Sequence, residues 1–400
     1  MKKILFLSGI DFKEKSIQVI KKTPEAYVNA GWHVDYIVAR DNSSSGNYFY
    51  EREININGAT LYRTYWPFEK LRGINSRVLF LIFNKFASLL VVMKLAFLGG
   101  RCVLKNKYDI IYGYETHGVL AANMLRVLSR GAKVVSRFQG VFYIKEHIKG
   151  KRYFSLLYNL DVLLALWLPS NLCIMTNDGT QGEDILKKIN SHNLHNFLFI
   201  SNGVDLKRTS KDVYNSKSYA VMVSRLVKIK RVELALIAVS NFLEKRGFFP
   251  IGKIIVVGDG QEYESLTELA IKLNIEHIFE FVGAINNQLV RDILVGSAFC
   301  LSLYESSNIG NPFFESMALG IPFVAVNNGD TGKFVTHNYN GFLIDECDIL
   351  NQLELFFQKA ACGILNLDAL HLNAVEYSKK NIYTWEKRFA IELSRVDDIL

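Results

Sequence analysis

The stretch "YAVMVSRLVKIKRVELALIAVSNFLEK", Tyr219–Lys245, decides the fold class. Its first six residues, Tyr219–Ser224, form an apolar run of strand length. After a cationic turn, residues Val232–Lys245 carry a helical pattern. A strand that feeds a helix through a short turn is the opening of a βαβ unit. Arg225 follows the strand and Lys230 stands just ahead of the helix. In open α/β sheets, ligands bind outside the carboxyl ends of the strands. Two cations five residues apart can converge there on one diphosphate, Arg as a fork and Lys as a point charge. The plain alternative is a pair of surface cations in a loop.

The same alternation runs through both halves of the chain. Lys3–Ser8, His33–Ala39, Asp109–Tyr114, Lys133–Phe138, Leu172–Thr176 and Phe197–Ser201 read as strands in the first half. Lys253–Gly258, Phe279–Gly283, Phe299–Leu303 and Pro322–Val326 join Tyr219–Ser224 in the second. Helical patterns lie between them, as at Val232–Lys245, Glu262–Leu273 and Asn287–Gly296. Apolar strands alternating with helices imply parallel sheets covered on both faces. The pattern occurs twice, which predicts two doubly wound domains. The polar segment Ser201–Ser218 is the expected seam, and Asn42–Gly46 is a Ser-rich loop.

A second stretch, "YESSNIGNPFFESMALGIP" (Tyr304–Pro322), also follows an apolar strand and opens a helix. Asn311 and Pro312 read as an N-cap and a first-turn proline. A helix N-terminus is an anion site. Gly310 permits close backbone approach. Asn308 and Asn311 offer side-chain amides, and an ionised Glu315 can accept from both hydroxyls of a ribose. The plain alternative is a well-capped core helix with an incidental glutamate.

A chain of 400 residues suits two or three domains. Its five cysteines, Cys102, Cys173, Cys300, Cys347 and Cys362, are scattered and never in CxxC spacing, which argues for a reducing compartment and against a zinc knuckle. The opening "MKKILFLSGIDF" has too short an apolar core for a signal peptide and reads as a buried strand. Residues 1–200 hold 27 Lys and Arg against 15 Asp and Glu, net +12, whereas residues 201–400 hold 20 against 24, net −4. A basic half joined to a mildly acidic half implies two different partners. No nucleic-acid-binding signature accompanies the basic half, so nucleic acid is not expected. Two apolar stretches, Ser76–Lys107 and Tyr153–Ser170, carry internal charges (Lys85, Lys94, Asp161) that oppose spanning. They read either as core helices or as membrane-surface contacts with snorkelling lysines.

These residues together resemble the retaining glycosyltransferases of family 4 (group 1), which have the GT-B architecture of two Rossmann-like domains facing a central cleft. The resemblance covers most of the chain. It is carried by Arg225 and Lys230, by "NGVD" at Asn202–Asp205, by Gly258 and Gly260 in "VVGDGQE", by "FVG" at Phe281–Gly283 and by "ESMALGIP" at Glu315–Pro322. It implies an acceptor-binding domain over 1–200, a nucleotide-sugar domain over 201–380, and a last helix within 381–400 that crosses back to the first. It further implies that Arg225 and Lys230 neutralise the donor diphosphate, that Glu315 bonds the ribose, and that backbone near Gly283 holds the base. The family's two glutamates are separated by seven residues. Here Ser307 stands where the first would be, within a variant "SNIGN" loop, and Glu305 lies two residues earlier. Ser307, Asn308 and backbone near Gly310 are then the candidates for holding the donor sugar, with Glu305 as the alternative.

In the first domain, "GYETHGVLAA" and "SRFQG" resemble loops that face the cleft, which makes Glu115, His117 and Gln139 acceptor-side candidates. Gly9 ends the first strand, where relatives place a glycine turn near the diphosphate. Gln139 stands where many relatives have His, and a neutral amide cannot serve as a base. No Asp-x-Asp pair occurs, so no metal is expected. The expected co-substrate is a UDP- or GDP-sugar, and no cofactor is expected. The expected acceptor is a glycan or lipid-linked glycan at an anionic membrane, with the protein cytoplasmic or peripheral on the inner face. A nucleotide-sugar 2-epimerase and a non-catalytic nucleotide-binding scaffold stand as the rival readings.

Overall fold

The computed structural model describes residues 1–12, 18–41, 53–68, 76–129, 131–141, 144, 148, 150, 153–205 and 219–400. The Asn42–Gly46 loop and residues 206–218 of the seam lie outside them. The chain forms two compact units. Unit 1 comprises Met1–Asn177, Gly182–Ile200 and Arg388–Leu400, and unit 2 comprises Asp178–Gln181 and Ser201–Lys387.

Unit 1 is built on seven strands: β1 Lys3–Ser8, β2 His33–Arg40, β3 Ala59–Tyr65, β4 Ile110–Tyr114, β5 Lys133–Phe138, β6 Leu172–Thr176 and β7 Phe197–Ile200. They lie in the order β3-β2-β1-β4-β5-β6-β7, all parallel. In register, Leu5 faces Asp35 on one side and Ile111 on the other. Every residue of β4 and β6 is buried, as a sheet covered on both faces requires. The long helix Arg77–Lys105 sends Ala87, Val91 and Leu95 into one core with Leu5, Leu7 and Ile37. The final helix, Trp385–Asp397, contributes Arg388 and Glu392, both fully buried and 2.5 Å apart as an ion pair. The hydroxyl of Tyr112 donates to Glu392 Oε1 at 2.9 Å, fastening this helix to β4.

Unit 2 has six strands: β8 Tyr219–Val223, β9 Lys253–Val257, β10 Phe279–Gly283, β11 Cys300–Ser302, β12 Phe323–Val326 and β13 Gly341–Ile344. Their order is β10-β9-β8-β11-β12-β13, again all parallel. Separate cores cover the two faces, one around Leu236, Phe242 and Phe356, the other around Phe313, Met317 and Phe323.

Both sheets thus have the doubly wound order expected. Each of the eleven expected strands is present with ends shifted by at most one residue. Two strands lacked a strong sequence signal. β3 is an edge strand whose residues are half-buried or exposed, and β13 is an edge strand whose short run opens on Gly341.

Candidate functional site

The order of the second sheet reverses between β8 and β11, and such a switch point opens a crevice at the carboxyl ends of the strands. Arg225 follows β8 and is exposed, and its carbonyl accepts from the Val227 N–H at 3.0 Å. The loop from Tyr304 follows β11. Two features bolt these segments together. The Glu305 N–H donates to the Ile229 carbonyl at 3.0 Å. Arg231 donates from Nε to the Leu303 carbonyl at 2.7 Å and from Nη2 to the Tyr304 carbonyl at 2.9 Å. Arg231 holds a left-handed φ of 51° between the short 3-10 turn Lys228–Lys230 and helix Val232–Arg246. That conformation is costly for a residue with a side chain.

Lys230 is half-buried, with Nζ 3.3 Å from the centroid of the Tyr304 ring. The Tyr304 hydroxyl donates to the Val223 carbonyl at 2.9 Å, which fixes the ring. Removal from water, and secondarily the Arg225 charge, pull the Lys230 pKa down to about 7.

The turn Gly258–Gly260 backs this cationic segment. Gly258 has φ +136°, and a Cβ there would lie 1.7 Å from the Ser224 carbonyl oxygen. Only glycine fits. The turn accepts from the Leu226 N–H through the Asp259 carbonyl at 2.9 Å, and the Gly258 N–H donates to the Gly283 carbonyl at 2.9 Å. Gly283 itself ends β10 after an irregularity in register, with φ +70° and open space where a Cβ would project. Arg225, Gly258 and Gly283 are therefore tied edge to edge.

The helix after β11 spans Asn311–Ala318 and its N-cap is Gly310. The expectation of an Asn311 cap is corrected by one residue. The Asn311 side chain accepts from Asn202 Nδ2 at 2.9 Å instead of capping its own helix. Pro312 is the second helical residue, where it withholds no needed donor. Gly310 is in extended backbone, so its conformation does not demand glycine.

Asn308 is also corrected. It is buried, and its side chain is fully engaged within the loop. Oδ1 accepts from Ser302 Oγ and the Tyr304 N–H at 2.8 and 2.9 Å, and Nδ2 donates to the Val326 carbonyl and Asn328 Oδ1 at 2.8 and 3.0 Å. No capacity is left for a ligand, so Asn308 is the loop's internal staple. Ser307 donates from Oγ to the Asp178 carbonyl at 2.8 Å. Glu315 lies in the second turn of the helix, partly buried.

The candidates of unit 1 gather at its own switch point, between β1 and β4. Gly9 follows β1 and lies against His117, whose ring would be 2.7 Å from a Cβ there. His117 Nε2 is 2.8 Å from Ser88 Oγ, and the Trp66 ring meets it edge-on. Glu115 begins the helix Glu115–Leu125 directly after β4 with φ 57°. Its Oε1 accepts from the Gln139 N–H at 2.6 Å, while the Gln139 amide donates to the Tyr114 hydroxyl. Among the described residues, no cluster of three or more His, Cys, Asp or Glu of metal-holding arrangement occurs.

Sequence reasoning missed Tyr304, Arg231 and the brace from Asn202. Tyr304 heads the loop after β11 and Arg231 directly follows Lys230. An aromatic and a further cation at two adjoining strand ends were the available signal.

Residues 204–357 match the family described as "Glycosyl transferases group 1". The matched residues lie within unit 2, apart from those outside the described residues. The N-acetyl-alpha-D-glucosaminyl L-malate synthase of Bacillus anthracis is 25% identical over 181 residues, which cover 45% of this chain and 45% of that enzyme. The match thus spans about half of that relative's length. The structure is similar to that of Anabaena Alr3699/HepE in complex with UDP, with a TM-score of 0.69 at 16% identity over 98% of this chain and 100% of that one. It is also similar to the lipopolysaccharide outer core galactosyltransferase WaaB, with a TM-score of 0.65 at 13% identity over the whole of both chains. The fold, two α/β units with parallel sheets, is that of GT-B glycosyltransferases.

Proposed function

We propose that the chain is a retaining glycosyltransferase of family 4, with the variant "SNIGN" loop in place of the first glutamate. It moves a hexose from a nucleotide-diphosphate sugar to a glycan or lipid-linked acceptor in cell-surface polysaccharide assembly. The observation that carries this reading is the union of the Arg225–Lys230 segment with the Tyr304 loop and the Asn311 helix end at one switch point. Leaving-group charge develops on the diphosphate as the glycosidic bond breaks. Arg225, Lys230 and the helix N-terminus would stabilise it, which is electrostatic catalysis by groups already in place. That assignment needs no metal. Glu315 would accept from the ribose hydroxyls, and the open side of Gly283 would admit the base. Ser307 and backbone at Gly310, Asn311 and Pro312 would meet the donor sugar.

In this reading unit 2 holds the donor, and Glu115, His117 and Gln139 of unit 1 bind the acceptor. The acceptor hydroxyl attacks on the face from which the nucleotide leaves, and its proton passes to the departing phosphate. The HepE complex with UDP-glucose supports a UDP-sugar donor, with a GDP-sugar as the alternative. The outer core activity of WaaB and the basic charge of residues 1–200 support a cell-surface glycan acceptor at the inner face of the membrane.

The test is product analysis. Purified protein is incubated with UDP-glucose or another nucleotide sugar and a lipid-linked glycan fraction. Proton NMR then reads the anomeric coupling of the product. An axial donor giving an axial product supports the reading. An epimerised donor with no transfer would replace it with the 2-epimerase, and no turnover of any donor would favour the non-catalytic scaffold.

A further inference from the structure

We infer that unit 1 docks on an anionic lipid surface through the outer face of helix Arg77–Lys105, which lies in the plane of the headgroups. The inference deepens the proposed function on its acceptor side. It rests on that reading only for the purpose of docking, and its test reads lipid binding alone.

The helix has 29 residues, about 44 Å of rise, and is long and apolar enough to cross a membrane by length and composition. Its inner face forbids crossing. Ala87, Val91 and Leu95 are completely buried and packed with Leu5, Leu7 and Ile37 of the sheet. Spanning would strip these side chains from the core of unit 1.

The outer face has the opposite character. Ile82, Phe86, Leu89, Met93, Phe97 and Leu104 recur at helical spacing and are 49–69% exposed. The helix Leu160–Trp167 adds Leu160, Leu164 and Trp167, which share one face and are also exposed. Lys85 links the two helices. Its Nζ is 2.7 Å from Asp161 Oδ1 and 4.4 Å from the centroid of the Tyr158 ring. An exposed apolar surface of this extent marks an interaction site.

Charge selects the occupant. The charged residues of helix Arg77–Lys105 are Arg77, Lys85, Lys94, Arg101 and Lys105, and none is acidic. A second copy docked on this stripe would set cations against cations. An anionic leaflet meets the apolar stripe with acyl chains and the cations with headgroups. Trp167 is at home in the same interfacial zone.

The experiment is co-sedimentation of the full chain with phosphatidylglycerol-containing vesicles and with pure phosphatidylcholine vesicles, at low and high salt. Trp167 emission is read in parallel, with Trp167→Phe as the blank. The expected result is binding to the anionic vesicles at low salt, a blue shift that the blank lacks, and at least about tenfold weaker binding in Lys94→Glu/Arg101→Glu. Phe86→Ser/Phe97→Ser, on exposed positions, should keep the melting temperature and lose the vesicles. No binding to anionic vesicles at low salt would overturn the inference, as would equal binding to neutral ones. So would a dimer in sedimentation equilibrium that Phe86→Ser/Phe97→Ser converts to monomer.

Discussion

The ammonium of Lys230 lies 3.3 Å from the centre of the Tyr304 ring, so the cation after β8 and the loop after β11 are one assembly. Cation and ring attract through the ring's negative face. Burial of Nζ away from water, and secondarily the Arg225 charge, outweigh that attraction and pull the Lys230 pKa down to about 7.

The first prediction concerns pH. In the free protein Lys230 is charged below about pH 7 and loses its charge as pH rises through that value. A diphosphate prefers the charged form, so binding draws a proton onto Lys230. Affinity for UDP-glucose, whose diphosphate has no proton to lose in this range, should fall by up to about tenfold per pH unit above 7. Titrations in buffers of different ionisation enthalpy should show proton uptake at pH 8. Lys230→Met should bind weakly with a flat profile.

Asn308 should act on stability rather than on the donor directly. Asn308→Ala removes four internal hydrogen bonds from a buried position, at a cost of about 2–4 kcal/mol. Thermal or urea unfolding measures it. An unchanged melting temperature with lost donor binding would instead make Asn308 a ligand.

At Gly258, alanine meets both a left-handed backbone and the Ser224 carbonyl. Gly258→Ala should cost about 2 kcal/mol or more and weaken nucleotide binding with it, because the displaced backbone leads into Arg225. Unfolding and calorimetry on the same preparation check both effects.

The buried pair Arg388–Glu392 gives a prediction for the last helix. Arg388→Ala leaves the Glu392 carboxylate buried without its cation and should cost about 3–5 kcal/mol. Replacing both, as Arg388→Met with Glu392→Leu, should recover much of that loss in chemical denaturation.

The parallel sheets were legible because fully buried strands are continuous apolar runs. β3 escaped because the edge strand "ATLYRTY" mixes Thr and Arg into its run and is half-buried or exposed throughout, and β13, the opposite edge, because its short run "GFLI" opens on a glycine. Arg225 and Lys230 were legible from position alone, since a cation at a strand's carboxyl end is a local feature. The roles of Asn308 and Asn311 were not. Whether an amide faces a ligand, another amide or its own helix depends on distant partners, here Val326 and Asn202, which sequence order does not place nearby.

The measurement that tests the central claim most directly is a calorimetric panel of UDP, GDP, ADP and dTDP against the wild type and Arg225→Ala. The account predicts that one nucleotide binds and that Arg225→Ala weakens it by at least about tenfold, the scale of one charged contact. Binding by none of the four, or binding that is unchanged in Arg225→Ala, would contradict the assignment of this switch point as the donor diphosphate site.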